Sequence, residues 1–358
     1  MSEKEMKIGK DYIGVGCGAF IVNDKNQFLL QKRNKEPERG YWSIPGGRLE
    51  MYENFEEAVV REVKEETDLD VEVVCLCGIC DHIVDIPGET KSHWISPSYL
   101  CKIISGEAKI MEPNKHLDMK WFDIANPPEN ITITTAKALD DYFYNMQNEK
   151  YDLNNRLIKH IRKNVFPVYE KNDKGHGMKH VRQVISRSFE LVSENNLDVD
   201  MDMVYTIAAY HDIGRKSERD KDNHEEISAE MMREDLELKK YFSEDKLKII
   251  EEAIVDHRAS LEYEARSIYG KIVSSADREI FLENILYRSY FYQKNKHPEC
   301  DKLGVIENSY KKLSSKYGKD GYAKMYFKDK KYEKFIAEIQ DLLENKEEFI
   351  RRESLIEE

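Results

Sequence analysis

Three glutamates, Glu62, Glu65 and Glu66, stand at i, i+3 and i+4 in the run NFEEAVVREVKEET. A helix places those positions on one face about a turn wide, where like charges repel unless a cation sits among them. An all-oxygen donor set selects hard divalent ions, Mg²⁺ or Mn²⁺. Just upstream lies Pro45-Gly46-Gly47, where the missing side chains let backbone approach a phosphate and lend a carbonyl to an ion. Carboxylates and glycine loop together suit the hydrolysis of a pyrophosphate: ions bridge its oxygens, neutralise developing charge and acidify an attacking water. A solvated glutamate face is the plainer alternative, and an EE pair alone does not exclude it.

A second set is dispersed over the later half of the chain. HGMKHVRQV carries His176 and His180, AAYHDIGR carries His211-Asp212, NHEEISAE carries His224, AIVDHR carries His257 and IVSSADRE carries Asp277. Imidazole with carboxylate suits a transition-type ion such as Mn²⁺, Co²⁺ or Fe²⁺, and separate helices can bring such donors into a bundle core. His160 and His297 fall outside these contexts and read as hydrogen-bonding or capping residues.

The first stretch, GGRLEMYENFEEAVVREVKEETDL, resembles the Nudix box: Gly, five residues, Glu, seven residues, then Arg-Glu-apolar-x-Glu-Glu-x-Gly-apolar. Gly47, Glu53, Arg61, Glu62, Val63, Glu65, Glu66 and Leu69 fall in register. Asp68 stands where the family has glycine, at a helix end that needs a left-handed conformation Asp tolerates. The resemblance implies that Glu62 and Glu66 are the primary metal ligands and that Gly47 contributes through its backbone. It makes Glu65 a further ligand or the handler of the water proton, with Arg61 and Glu53 orienting the carboxylates. The order W-x-x-PGG, EP-x-K, MKWF is similar to the MutT-like nucleoside-triphosphate branch, which gives Arg33 and Glu112 substrate contacts; structural roles serve them equally well.

The order His, His-Asp, late Asp resembles the HD phosphohydrolase superfamily over about residues 155–290. It implies that His180, His211, Asp212 and Asp277 hold one divalent ion and that His224 and His257 complete a second, with Asp212 bridging; a one-metal centre is the alternative. Lys216, Arg258 and Arg266 flank these residues and could bind phosphate oxygens, with surface ion pairing as the plainer role. His176, between two glycines, reads as a second-layer or substrate contact. The chain lacks the Gly-Tyr-Pro extension of cyclic-di-GMP phosphodiesterases, and the Glu-Asp of ppGpp hydrolases does not follow its HD pair.

The elements that must position these residues differ between the halves. Residues 1–150 alternate period-2 runs (GVGCGAFIV, QFLLQKR, YWSIPGG, VEVVCLCGIC, SPSYLCKII, MKWFDI) with one internal helix, NFEEAVVREVKEET, and a closing one, ITTAKALDDYFYNMQ. The expected fold is multidomain: an α+β Nudix fold, a mixed sheet with its catalytic helix, over 1–150, then an all-α HD helical bundle over 151–300. A charged helical extension, 301–358, packs on the bundle or forms a homodimer contact. In CLCGICDH, Cys75, Cys77, Cys80 and His82 make a zinc-like grouping, but a strand turns Cys75 and Cys77 to one side and Cys80 and His82 to the other, so small core residues are expected.

Length and charge bound the function. At 358 residues and 40% hydrophobic, the chain supports two cores. The net charge of −13 excludes a generally basic nucleic-acid binder and argues against an anionic-membrane partner. Residues 1–150 hold 18 basic and 27 acidic residues, which disfavours a Nudix activity on capped or triphosphorylated RNA 5′ ends. No apolar span or secretory signal is evident, and six cysteines are too few for a disulfide-built fold, so a cytoplasmic location is expected. The resulting expectation is a bifunctional metal-dependent nucleotide phosphohydrolase with small-molecule nucleotide substrates. The rival is a chain in which one domain binds a nucleotide and gates the other.

Overall fold

Apolar alternation builds the first half around one sheet. A computed structural model of the chain describes residues 6–84, 91–172, 176–215, 223–258, 263–321 and 325–356. The strands are β1 (Gly14–Val22), β2 (Gln27–Arg33), β3 (Trp42–Ser43), β4 (Gly46–Arg48), β5 (Asp70–Val84), β6 (Ser92–Ser105) and β7 (His116–Asp123). The sheet order is β3-β2-β1-β6-β5, with β4 on β1 and β7 on β2. β1 and β6 run parallel and the other pairs antiparallel, so the sheet is mixed. Helix α1 (Phe55–Thr67) buries Ala58, Val59 and Val63 against Ala19, Ile21 and Leu29 of β1 and β2, while α2 (Ile133–Tyr151) covers a second core around Phe20, Phe28 and Leu30. The two helices thus occupy opposite faces of β1 and β2, because neighbouring residues of a strand point to opposite sides.

Two expectations about strands are corrected. YWSIPGG is not one strand but β3 and β4, because Pro45 offers no N–H and Gly46 takes φ +151°. Pro45 O accepts instead from Ala19 N at 2.8 Å, and a Cβ on Gly46 would meet Cys17 O at 2.2 Å. The cysteines of β5 do not follow plain alternation either. Irregularities at Val73/Cys75 and Leu76/Gly78 leave Cys75 exposed and Cys77 buried. Cys80 Sγ lies 3.6 Å from His82 Nδ1.

Contacts group Met1–Asp152 and Leu153–Glu358 as two compact units. The second is helical: α3 (Asn155–Asn164), α4 (Met178–Glu194), α5 (Met201–Tyr210), α6 (His224–Glu234), α7 (Glu244–Val255), α8 (Ile268–Ala276), α9 (Leu282–Lys296), α10 (Lys302–Tyr317), α11 (Lys330–Glu344) and α12 (Lys346–Ser354). MDMVYTIAAY is apolar nearly all round, and α5 accordingly sits in the interior, buried from Met203 to Tyr210. The last three helices share a core with α9, built on Leu286, Tyr290, Ile306, Tyr317, Phe335 and Phe349. An Arg187–Asp329 pair and Lys331 Nζ to Glu190 Oε1 at 2.7 Å tie them to α4. Among the described residues, no helix is long and apolar enough to cross a membrane.

Candidate metal centres

Asn54 starts α1 with a capping box, its side chain accepting from Glu57 N while the Glu57 carboxylate accepts from Asn54 N. Asp68 ends it at φ 60°, the left-handed conformation expected there. Between these caps Glu62 and Glu66 turn toward β4 and are 9% and 4% exposed, whereas Glu65 is 55% exposed on its side chain. Gly46 N donates to Glu66 Oε2 at 3.0 Å. A Cβ on Gly47 would stand 2.3 Å from Glu62 Oε1, so only glycine leaves this backbone open to the carboxylate.

Arg61 holds the group together. Its Nε and Nη2 donate to the two Glu53 oxygens at 2.7 and 2.9 Å, Nη1 donates to Glu62 Oε1 at 2.9 Å, and Nη2 also reaches Arg48 O at 3.2 Å. Burial pushes Glu62 up, and pushes Glu66 up to about 8. Two buried carboxylates that resist ionisation beside an open glycine backbone fit a hard divalent cation, which would restore their charge.

Around Glu66 the structure gathers residues that motif reading placed loosely or missed. Glu112 raises Glu66 by its charge, and Lys115 Nζ pairs with Glu112 Oε2 at 2.6 Å. His116 Nε2 lies 3.6 Å from Glu66 Oε1, and burial lowers this imidazole to about 4. Gln31, fully buried, donates from Nε2 to Glu66 O at 3.5 Å. Arg33 pairs with His116 across β2 and β7 and gives its Nε to Pro37 O at 3.2 Å. No motif marked Gln31 or His116; what brings them there is strand pairing, which joins distant positions.

The second centre forms where helix ends meet. His180 lies in the first turn of α4, His211 caps α5 with Asp212 next, His224 opens α6, His257 follows α7 and Asp277 caps α8. Their donor atoms fall into two groups, each within 4.8 Å: His180, His211 and Asp277, and Asp212, His224 and His257. His180 Nε2 is 3.1 Å from both His211 Nε2 and Asp277 Oδ1. Asp212 faces both groups, with Oδ2 3.6 Å from His180 Nε2 and 3.7 Å from His211 Nε2, and Oδ1 3.4 Å from His224 Nε2 and 3.5 Å from His257 Nε2.

Tautomers are set from behind. His211 Nδ1 lies 2.8 Å from Ala208 O and His257 Nδ1 lies 2.6 Å from Ile254 O, so each carries a proton on Nδ1 and turns Nε2 toward the other donors; against burial, the Asp212 carboxylate raises the His257 imidazole above its ordinary value. Burial lowers His211 and His224 to about 4, keeping them neutral as ligation requires. Against the effect of burial, the surrounding histidines hold Asp212 and Asp277 well below the usual carboxylate range. His224 Nε2 is buried without a hydrogen-bond partner. Such a donor set fits divalent transition-type ions, with Asp212 turned toward both groups.

The flanking basic residues separate. Arg266 is committed to the buried Asp256: Nη2 and Nε donate to Oδ1 at 2.8 and 3.0 Å, and its backbone N donates to Oδ2 at 2.7 Å. These contacts clamp its loop onto Asp256, the ion-pairing role that was the alternative to a phosphate contact. Arg258 Nη1 donates to Glu225 Oε1 at 2.6 Å, and Glu225 Oε2 lies 3.3 Å from His224 Nδ1, so it braces the carboxylate behind a candidate ligand. Lys216 lies outside the described residues. His176 accepts at Nε2 from Arg288 Nη2 at 3.2 Å, beside His180.

Comparison with known proteins matches both halves. The NUDIX domain profile covers residues 13–142 and the HD domain profile residues 177–280. An ADP-ribose pyrophosphatase of Methanocaldococcus jannaschii is 36% identical over 122 residues, 34% of this chain and 69% of its own length. An 8-oxo-dGDP phosphatase of Danio rerio is 29% identical over 31% of this chain and 32% of its own length. The crystal structure of a MutT NUDIX hydrolase from Burkholderia pseudomallei is 40% identical over 36% of this chain and 97% of its own, with a TM-score of 0.34. With its motif in register and its first domain matched over more than two thirds of a curated relative, the chain belongs to the Nudix hydrolases, and it carries an HD domain behind the Nudix domain.

Proposed function

We propose that the protein is a bifunctional, metal-dependent nucleotide phosphohydrolase. The Nudix domain would cleave the pyrophosphate of a nucleoside di- or triphosphate derivative, the class to which the substrate named for the archaeal relative belongs. The HD domain would hydrolyse a phosphate ester or anhydride. The observation that carries the second activity is the division of Asp212, one oxygen toward each of two histidine groups. A module that only senses a nucleotide has little need for such a set.

In the first site Glu62, Glu66 and the Gly47 backbone would hold Mg²⁺ or Mn²⁺; in the second, the two His–Asp groups would hold two transition-type ions. When bound, such ions neutralise phosphate oxygens and acidify water. The chain's own residues do the rest. Arg61, fixed by both oxygens of Glu53, keeps the Glu62 carboxylate aimed at the glycine loop. Glu65, the exposed glutamate, 3.5 Å from Arg61 Nη1, would accept a proton leaving water, with Glu66 accepting from Gly46 N. In the HD site Ala208 O and Ile254 O keep the proton of His211 and His257 on Nδ1, away from the reacting side.

The test is phosphate and pyrophosphate release from a nucleotide panel, ADP-ribose included, with Mg²⁺, Mn²⁺ and Co²⁺ compared. Glu66→Gln should abolish pyrophosphate cleavage and spare the second activity, and Asp212→Asn should do the reverse. If neither variant changes hydrolysis of any compound, the assignment fails.

A further inference from the structure

Beside the six donors of the HD centre, cations gather on one side of Asp277. Arg278 follows it directly; the guanidinium is buried, Nη2 donates to Ser274 Oγ at 3.1 Å and Nε has no partner. Arg288 on α9 donates to His176, whose ring lies 5.8 Å from that of His180. From α10, Lys312 and Lys316 stand at i and i+4 and so share one helix face. The Lys312 ammonium sits 3.3 Å from the ring centroid of Tyr292, one turn beyond Arg288 on α9. The charges of Arg278, Asp277, Arg288 and Lys312 all act on Lys316.

Little opposes this charge. Glu279 lies 3.6 Å from Arg288 Nη1, while Lys312 and Lys316 have no carboxylate at ion-pair distance among the described residues. Burial and the neighbouring cations push both ammonium groups down, to about 8. Half-buried like charges without a counter-charge are costly in the free protein, and an anion placed among them removes that cost.

We propose that Arg278, Arg288, Lys312 and Lys316 form an anion subsite next to the HD metal centre, which receives the further phosphate groups of a substrate carrying two or more. The inference rests on the HD centre being a phosphohydrolase site, and it makes α10, beyond the matched HD domain, part of the substrate site. These four cations, with Lys296 also acting on Lys312, outnumber the Glu279 and Asp277 carboxylates, an excess of positive charge that suits a di- or triphosphate; a single ester phosphate held at the metal donors would leave the lysines unanswered. The guanidinium groups supply fixed forks and the lysines mobile point charges, a usual division in polyphosphate binding.

The experiment is calorimetric titration of the full chain with inorganic tripolyphosphate and with orthophosphate in magnesium-free buffer. Lys312→Gln with Lys316→Gln should weaken tripolyphosphate binding at least about tenfold, the scale of one lost charge-assisted contact, and leave orthophosphate within about twofold. Lys312→Arg with Lys316→Arg should retain binding, and melting curves should show the glutamine variant folded. No tripolyphosphate binding by the wild type, an unchanged affinity in the glutamine variant, or equal weakening of both anions overturns the proposal. Asp212-dependent hydrolysis measured in parallel keeps the two ideas apart. If hydrolysis is absent while lysine-dependent binding persists, the subsite stands and the phosphohydrolase reading falls; hydrolysis without lysine-dependent binding gives the reverse.

Discussion

Glu353 offers a quantitative test of the packing that carries α10. It is wholly buried on α12, and Ser309 Oγ lies 2.6 Å from its Oε1 and 2.8 Å from Ser289 Oγ, while its Oε2 has no partner. Either protonation state can satisfy both contacts, since the serine hydroxyls can donate in either direction along the chain Ser289–Ser309–Glu353; what a carboxylate leaves is a charge in an apolar core with one hydrogen bond to answer it. Burial accordingly pushes Glu353 from 4.5 up to about 7. Because the folded state holds this proton more tightly than the unfolded chain, stability is full below about pH 4.5 and falls as pH rises to about 7, after which the penalty is constant. At 1.36 kcal/mol per unit the penalty approaches about 3 kcal/mol. Glu353→Gln, which cannot ionise and still donates to Ser309, should be more stable than wild type by up to that amount at pH 8 and equal to it near pH 4.5. Calorimetric scans across this range should show the transition of residues 153–358 raised by several degrees at pH 8, with that of residues 1–152 unmoved. A gap independent of pH, or a variant weaker at pH 8, would refute the reasoning.

Two further outcomes are expected. Gly47→Ala puts a methyl 2.3 Å from Glu62 Oε1, so pyrophosphate cleavage should drop at least about a hundredfold, in line with the cost of misplacing a group by about 1 Å, while circular dichroism and the HD activity stay at wild-type levels. Protein produced with Mn²⁺ and dialysed against magnesium-free buffer should retain two equivalents of transition metal. His224→Ala with His257→Ala should reduce that to one by elemental analysis, and one equivalent in both proteins would show a single-ion centre.

How far the sequence carried the reading depends on the range of the interactions involved. The carboxylate face of α1 was legible because its caps, its arginine and its ligands fall within some twenty residues, so spacing is geometry. The HD donors were legible one helix at a time, since each sits at a helix end with local context. The sharing of Asp212 between two groups was an expectation drawn from resemblance, and its geometry arises where five helix ends converge. The basic residues show the limit. Arg266, close to the motifs, is paired with Asp256, a buried acid that needs a partner and gives no sign of itself in the spacing. Lys312 and Lys316, thirty-five or more residues beyond Asp277, look in sequence like an ordinary solvated i, i+4 pair. Only the packing of α10 on α9 sets Lys312 over Tyr292 and brings Lys316 within reach of the charges of Asp277, Arg278 and Arg288.

That contrast bears on how an acidic chain, net −13, handles polyanions. In the Nudix domain carboxylates line the site and Arg61 is spent on Glu53 and Glu62, so attraction for phosphate must come largely from the bound cations. In the HD domain the donors of each group are mostly imidazoles rather than carboxylates, and α9 and α10 add positive charge of their own. Each site is therefore expected to lean on a different partner for affinity, free divalent cation in the first and the chain's lysines and arginines in the second. On the proposed subsite, the helices after residue 300 would have a chemical reason to be part of the second unit: they would hold in place the charges by which it discriminates among substrates by phosphate number.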